Sequence, residues 1–233
     1  MGPAPVPHRA AVILSHPSPN FGERRDGGRP ELVVLHYTAM SSSAEALARL
    51  CDPVAEVSAH YLIDTDGTVL SLVAEEARAW HAGAGEWAGR GDVNSRSIGV
   101  ELANRGNEPF AAPQMLALEG LLRGILKRWA LPPKAVIGHS DMAPDRKGDP
   151  GPRFDWRRLA LAGLSVWPEV GTPGDFAADL RAFGYPDLPL DTLLTAFRLR
   201  FRPWASGPLD TTDRALAADL ARRFPVDAKP APA

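Results

Sequence analysis

Two histidines in this chain follow short runs of apolar residues. His36 comes after Val-Val-Leu, and His139 comes after Val-Ile-Gly. Both runs predict buried strands, and α/β folds place functional groups beyond the ends of sheet strands. A single histidine in such a place is more often a strand cap or a hydrogen-bonded core residue than a ligand. Two of them, with acidic residues nearby, favour a site that binds a metal.

The acidic residues lie in the segment after His139, which reads HSDMAPDRKGDPG. It contains Asp141, Asp145 and Asp149, and its glycines and prolines predict a loop rather than a helix. Residue types and spacing predict a possible His/His/Asp metal site without selecting one aspartate. Three protein ligands and one open position are typical of catalytic zinc. The single cysteine, Cys51, excludes a cysteine-bound metal, and the HExxH pattern of helix-borne metalloprotease sites does not occur.

Short strands and two longer helices must position these residues. Apolar runs predict strands at residues 31–36, 58–64, 68–73, 97–102 and 135–138. The Asp66-Gly67 pair predicts a hairpin between the second and third of them. Helical spacing of apolar residues predicts helices at 42–51 and 113–130. The predicted class is therefore α/β, with a central mixed β-sheet flanked by helices.

The composition changes after Trp167-Pro168. Apolar residues then recur at helical spacing in three segments, 174–183, 190–201 and 211–223, with no strand pattern. We therefore divide the chain into a catalytic domain at 1–170, a three-helix domain at 171–225 and a disordered, proline-rich tail at 226–233. A bundle of about 50 residues is small for an independent core. The sequence does not show whether it packs against the first domain for stability.

Charge and hydropathy exclude some classes of partner. The chain has 26 Lys+Arg against 28 Asp+Glu, so no basic excess indicates binding to nucleic acid or to an anionic membrane. No stretch reaches the roughly 18–20 apolar residues of a membrane span. The N-terminal residues lack the basic start and apolar run of a signal peptide. These observations predict a cytoplasmic protein, and we expect a monomer, although no motif encodes the oligomeric state.

Five sequence blocks resemble a known family. LHYTA, SAHYLID-x-DG, AWHAG, NSRSIGVEL and GHSDMAPDRKGDPG are similar, in matching order over residues 18–168, to the signature blocks of zinc-dependent N-acetylmuramoyl-L-alanine amidases of the AmpD/AmiD type. That family shares its fold with the peptidoglycan recognition proteins and T7 lysozyme. Residues 172–224 resemble the three-helix peptidoglycan-binding-type domain of the AmiD branch, mainly through LRAFGYP.

The resemblance implies a role for each of five residues. His36, His139 and Asp149 match the zinc ligands, Glu101 matches the general base, and Lys147 matches the group that stabilises the oxyanion. The alternative for Glu101 is a strand residue paired with an arginine. An ionisable residue in a buried strand is costly unless it is used or paired, which favours function. The alternative for Lys147 is a solvated loop lysine.

Five further residues are candidates for substrate binding. Tyr37 follows the first ligand, and Trp80 and His81 form an aromatic corner suited to a sugar or a stem peptide. Asn94 precedes the strand that contains Glu101 and could hold the segment that leads into this strand. His60 could line the cleft, although a packed structural role is the stronger interpretation. For Trp80 and His81 the alternative is a simple packing corner.

The function implied by the resemblance is hydrolysis of the amide between N-acetylmuramic acid and the L-Ala of the stem peptide. With a cytoplasmic location, we expect soluble muropeptides as substrates, including 1,6-anhydro forms, and a role in peptidoglycan recycling. Two alternatives stay open at this point. The first is an exported, periplasmic wall amidase of the AmiD type. The second is a muropeptide-binding module without catalysis, which the presence of Asp149 and Glu101 disfavours.

Overall fold

The computed structural model describes residues 13–226. Within that range a central sheet has six strands in the order β1-β5-β4-β7-β3-β8, and β2 pairs separately with β6. Only β4 and β5 are antiparallel neighbours in the six-stranded sheet of the described chain, so this sheet is mixed. The strands are β1 (Ile13–Ser15), β2 (Phe21–Gly22), β3 (Leu32–Tyr37), β4 (Tyr61–Ile63), β5 (Val69–Ser71), β6 (Arg78–Ala79), β7 (Ser97–Leu102) and β8 (Val136–Gly138).

Helices flank this sheet, which confirms the predicted α/β class. Those of the described residues are α1 (Ser43–Cys51), α2 (Val93–Arg96), α3 (Ala112–Trp129), α4 (His139–Met142), α5 (Trp156–Leu161), α6 (Phe176–Phe183), α7 (Leu190–Phe201) and α8 (Thr211–Arg223). Across residues 13–226, no helix combines the length and the apolar character needed to cross a bilayer.

Strand β3 is buried on both faces, which explains its nearly continuous apolar sequence. Val33 and Leu35 pack in the core that contains α3. Leu32 and Val34 pack in a second core on the other face of the sheet. Because side chains alternate along a strand, His36 lies on the face of Leu32 and Val34. The side chain of His36 therefore lies on the second face of the sheet, at the carboxyl end of β3.

Helix α3 covers the first face of the sheet. The sequence predicts one long helix at residues 113–130, and the structure has it at Ala112–Trp129. Met115, Leu118, Leu122 and Ile125 recur at helical spacing and are buried against the sheet. This layer anchors the strands from the side opposite to His36.

The three C-terminal helices form part of the second core. Phe176, Leu180 and Phe197 belong to the same hydrophobic cluster as Leu32 and Ile137 of the sheet. The helices predicted at 174–183, 190–201 and 211–223 correspond to α6, α7 and α8. Their status as a separate peptidoglycan-binding-like domain stays a prediction. Residues 1–12, and the predicted tail beyond residue 226, lie outside the described part of the chain.

Two turns next to the strands test local predictions. The Asp66-Gly67 hairpin is present, with Gly67 at φ +90° between the antiparallel strands β4 and β5. The prediction of a loop directly after β8 was wrong for its first four residues, because His139–Met142 form one helical turn. The Asp141 carboxylate accepts a hydrogen bond from the Gly138 N–H at 2.7 Å, and this contact closes the first turn.

Candidate active site

Three ligand-type side chains converge at the carboxyl ends of β3 and β8. His36 Nδ1 lies 2.9 Å from Asp149 Oδ2, and His139 Nδ1 lies 3.0 Å from the same oxygen. The two Nδ1 atoms are 2.9 Å apart. All three residues are buried, and together they could hold a metal ion. Among the three aspartates that the residue pattern left open, Asp149 is the one brought to both histidines.

Backbone contacts fix the two later ligands relative to each other. His139 is the first residue of α4, directly after β8, so the sheet sets its position. The Ser140 N–H donates to the Asp149 carbonyl at 2.9 Å. The turn that carries His139 therefore also holds the main chain of Asp149.

A backbone carbonyl sets the tautomer of His139. Its Nε2 atom lies 2.9 Å from the Ala82 carbonyl, which can only accept a hydrogen bond. The hydrogen is therefore assigned to Nε2, and the Nδ1 lone pair is directed at the ligand cluster. Such an outer partner orients a histidine for metal binding.

A chain of polar contacts sets the tautomer of His36. The Ser97 hydroxyl donates to the Val93 carbonyl at 2.6 Å and lies 3.2 Å from His81 Nε2. It therefore accepts the hydrogen of His81 Nε2, which leaves His81 Nδ1 as an acceptor. His36 Nε2 lies 3.0 Å from that Nδ1 and donates to it. We assign the bare nitrogen of His36 to Nδ1, the atom that faces Asp149.

The protonation states suit a metal ion. Burial, and then the charge of His139, lower the pKa of His36 to about 4. Burial alone would raise the pKa of Asp149, but the two histidine side chains beside it, His139 and His36, hold it well below its usual range. At neutral pH His36 is neutral and Asp149 is ionised, as metal ligands must be. Two imidazole nitrogens and one carboxylate form a donor set that fits zinc.

Glu101 lies beside this cluster because of the sheet register. It pairs directly with His36 across β7 and β3, so both side chains leave the same face. Its Oε2 atom is buried without a hydrogen-bond partner among the described residues. Burial, and then the charge of Asp149, raise the pKa of Glu101 to about 8, while Lys147 opposes the shift. A partly buried carboxyl with an unpaired oxygen and a raised pKa is typical of a functional acid or base.

The three ligand-type residues and Glu101 open into one cleft of about 410 Å³. Lys147 is exposed and lies on the wall of the same cleft. The arrangement combines a place for a Lewis acid, a carboxyl group that can carry a proton and a cation. These are the elements required for the hydrolysis of an amide.

The profile of the N-acetylmuramoyl-L-alanine amidase family matches residues 26–152, more than half of the chain. The chain belongs to this amidase family. AmiD of Escherichia coli is 35% identical over 237 aligned residues, which cover 85% of this chain and 85% of that protein. AmpD of E. coli is 36% identical over 162 residues, which cover 62% of this chain and 88% of that protein.

Solved structures give the same result for the fold. The complex of E. coli AmiD with anhydro-N-acetylmuramic acid-L-Ala-D-γ-Glu-L-Lys has a TM-score of 0.75 and 33% identity, covering 88% of this amidase and 98% of that chain. AmpDh3 of Pseudomonas aeruginosa has a TM-score of 0.77 and 33% identity, covering 91% and 96%. The family resemblance of the sequence is confirmed, and the chain is an amide hydrolase.

The candidate substrate residues of the amidase lie in different places. Tyr37 and Trp80 line the cleft. His81 also lines it, but both of its ring nitrogens face protein groups, His36 and Ser97. The side-chain oxygen of Asn94 accepts the N–H of His81 at 3.0 Å and that of the next residue at 2.8 Å. Asn94 therefore holds the backbone of the loop that carries His81.

The position of His60 does not support a contact with substrate. Its side chain is wholly buried, and its Nδ1 accepts the Gly99 N–H at 2.9 Å. Its Nε2 lies 3.1 Å from the Ala77 carbonyl and 3.2 Å from Arg24 Nη2. Burial lowers the pKa of His60 to about 3, although the Ala77 carbonyl opposes the shift. His60 ties neighbouring segments of the amidase together behind the cleft.

Two arginines on the cleft wall were not singled out from the sequence. Arg49 is exposed on α1, on the same side as Ala46 and Leu50, which also line the cleft. Arg146 lines the cleft and donates to the Ala82 carbonyl at 3.1 Å. Arg146 directly precedes Lys147 in the GHSDMAPDRKGDPG block, so the sequence did contain a signal for its place near the site. For Arg49 no signal existed, because helical spacing does not tell which neighbour α1 faces.

Proposed function

We propose that this amidase uses zinc to cleave the amide between N-acetylmuramic acid and the L-Ala of a stem peptide. The observation that carries the proposal is the convergence of His36 Nδ1, His139 Nδ1 and Asp149 Oδ2 beside the unpaired carboxyl of Glu101. His36, His139 and Asp149 would hold the ion. A zinc ion bound there supplies Lewis-acid chemistry that activates water and polarises the amide carbonyl.

Glu101 serves as the proton carrier in this mechanism. Its carboxylate takes a proton from the attacking water and then gives it to the nitrogen of the leaving L-Ala, so the C–N bond breaks with a neutral amine as product. Its partly buried position beside the proposed ligands and its raised pKa suit a group that both accepts and returns a proton near neutral pH.

Lys147 provides a positive charge on the cleft wall that would stabilise the developing oxyanion. A preorganised cation of this kind stabilises charge that appears only in the transition state. Its exposed position on a short loop is consistent with a side chain that settles on bound substrate. We expect Lys147→Met to lower kcat by about 10²-fold.

The substrate class we propose is muropeptides, including 1,6-anhydro forms. Two similar solved structures support it: E. coli AmiD with an anhydro-muramyl tripeptide, and AmpDh3 with an anhydromuramic pentapeptide. In this chain, Tyr37 and Trp80 supply aromatic surface to the cleft, which suits contact with a sugar or a peptide stem.

A product analysis tests the function. A mixed muropeptide digest is treated with the wild-type protein and with His139→Ala, with and without a chelator, and the products are identified by mass spectrometry. We expect free stem peptides beginning with L-Ala, released only by the zinc-loaded wild type. Full activity of His139→Ala without bound zinc would contradict the mechanism.

The same experiment separates catalysis from binding. A muropeptide-binding module without catalysis predicts retention of muropeptides with no stem peptide released. We favour catalysis because Glu101 and the three proposed ligands all face one cleft.

The cytoplasmic location and the monomeric state stay predictions. Similarity to AmiD over 85% of the chain keeps the exported wall amidase as the second candidate. Fractionation of the native, untagged protein decides between the two locations, and sedimentation measures the oligomeric state. Binding of intact peptidoglycan by residues 171–225 is likewise a proposal, tested by pelleting the full chain with purified sacculi.

A further inference from the structure

A buried carboxylate lies between the candidate metal site and the C-terminal helices. Asp141 is the third residue of α4, two positions after His139, and its side chain has no exposed surface. One of its oxygens, Oδ2, accepts the Gly138 N–H, so Asp141 closes the turn that begins with His139. A buried charge of this kind needs a partner.

The partners come from the helical segment. Arg200 of α7 places Nη1 2.5 Å from Asp141 Oδ2, and the hydroxyl of Tyr185, between α6 and α7, donates to Asp141 Oδ1. Within residues 13–226, Arg200 is the only cation paired with Asp141. The Arg200 side chain is 1% exposed, so solvent screens this pair very little.

Arg200 also contacts the strand that leads into the site. Its Nη2 donates to the Val136 carbonyl at 3.1 Å, in β8. Its guanidinium carbon lies 4.2 Å from the centre of the Trp156 ring in α5. One side chain of α7 thus contacts β8, the turn α4 that follows it, and α5.

The turn held in this way carries one of the three proposed ligands and contacts the main chain of another. His139 begins it, and the Ser140 N–H binds the Asp149 carbonyl. We infer that Arg200 and Tyr185 are positioning residues for the metal site, which act through Asp141 on the turn that holds His139 and Asp149. The inference rests on the proposed function and adds to it a role for the C-terminal helices: they complete the metal site from behind.

Zinc affinity of full-length variants tests this inference. Arg200→Met removes the charge and keeps much of the side-chain volume. Loss of a direct outer contact of a metal ligand typically weakens metal binding about 10–100-fold. Arg200 acts one contact further out, through Asp141, so we expect a zinc Kd raised by about 10-fold, the lower end of that range, in a chelator competition. Cobalt added alone to the apoprotein reports ligand geometry, and we expect its visible spectrum to shift.

Arg198→Met is the matched control. Arg198 lies in the same helix, is 8% exposed and pairs at 2.5 Å with Asp213, wholly within the helical segment. We expect it to lower the unfolding midpoint and to leave the zinc Kd and the cobalt spectrum unchanged. A zinc Kd of Arg200→Met within twofold of wild type, or an equal loss in Arg198→Met, overturns the inference.

If Arg200→Met does not fold, a pair of milder variants tests the same inference. Tyr185→Phe removes one hydroxyl from Asp141, and Tyr61→Phe removes one buried hydroxyl from Glu75 on the other side of the sheet. We expect a cobalt spectrum altered in Tyr185→Phe alone, with zinc binding several-fold weaker than in Tyr61→Phe. Identical spectra and affinities in the pair overturn the inference. If the wild type itself binds no zinc, the proposed function fails instead.

Discussion

His36 Nε2 lies 3.0 Å from His81 Nδ1, and this contact decides which nitrogen of His36 is free for a metal. His81 is itself oriented by Ser97, whose hydroxyl donates to the Val93 carbonyl. The order of donors and acceptors along this chain leaves the Nδ1 lone pair of His36 directed at Asp149. A histidine on the cleft wall therefore has a role in the arrangement of the metal site.

Replacing His81 tests that role. In His81→Phe the ring volume is largely kept and the acceptor for His36 is lost. We expect zinc affinity to fall about 10–100-fold, as for other outer contacts of metal ligands. The measurement is a chelator competition. Trp80→Phe is the control, because Trp80 lines the same cleft without a hydrogen bond from its side chain to a proposed ligand. An unchanged zinc affinity in His81→Phe would refute the role of His81 in orienting His36.

Glu101→Gln separates proton transfer from metal binding. The substitution keeps the shape of the side chain and removes the basic carboxylate. Loss of a general base typically lowers the rate by about 10²–10⁴-fold, and we expect kcat to fall in that range. Zinc content, measured by elemental analysis, should match the wild type. Activity within threefold of the wild type would show that another group carries the proton.

Zinc binding should release a proton from Glu101. Its pKa of about 8 means that the carboxyl is mostly protonated at pH 7 before metal binds. A cation next to it favours the carboxylate and lowers that pKa, so the proton leaves. Calorimetric titration with zinc in buffers of different ionisation enthalpy counts the protons. We expect the wild type to release up to about one more than Glu101→Gln; equal numbers would contradict the release of a proton from Glu101.

His60 should make the amidase sensitive to acid. Its pKa is lowered to about 3 in the fold, against an ordinary value of 6.5, so between these values the unfolded chain binds the extra proton. The free energy of unfolding should therefore fall, as pH decreases from about 6.5 toward 3, by up to about 1.4 kcal/mol per pH unit from this group. Above pH 6.5 the effect is absent.

Urea unfolding of the apoprotein at a series of pH values measures this slope. His60→Gln should be less stable at neutral pH, because Gly99 and Ala77 lose their imidazole partner. Its free energy of unfolding should nevertheless vary less with pH. His16→Gln, at an exposed position, is the matched control and should keep the wild-type slope. Parallel pH curves for His60→Gln and the wild type would exclude His60 as the source.

Several features of the fold were accessible from local sequence. The apolar runs that precede His36 and His139 correspond to β3 and β8, and the long apolar helix corresponds to α3. Strand β3 and helix α3 have enough residues for their patterns to be distinct. Strands β1, β2 and β6 have only two or three residues each and were not predicted. Their pairing depends on neighbours that are distant in the chain.

The turn at α4 illustrates the limit of composition. The glycines and prolines after His139 predicted a loop, yet His139–Met142 are helical. The turn is closed by Asp141, whose charge is neutralised by Arg200, 59 positions later in the chain. No local pattern contains that partner.

By itself, the sequence determined the class of fold, the family and the set of residues from which a metal site could be built. These depend on short-range patterns and on blocks in a fixed order. The tertiary structure decided which aspartate meets the two histidines, that His60 stays behind the cleft, and that His81 and Arg200 support the site. Those outcomes depend on hydrogen bonds between side chains far apart in the chain, whose geometry exists only once the sheet and its helices have packed.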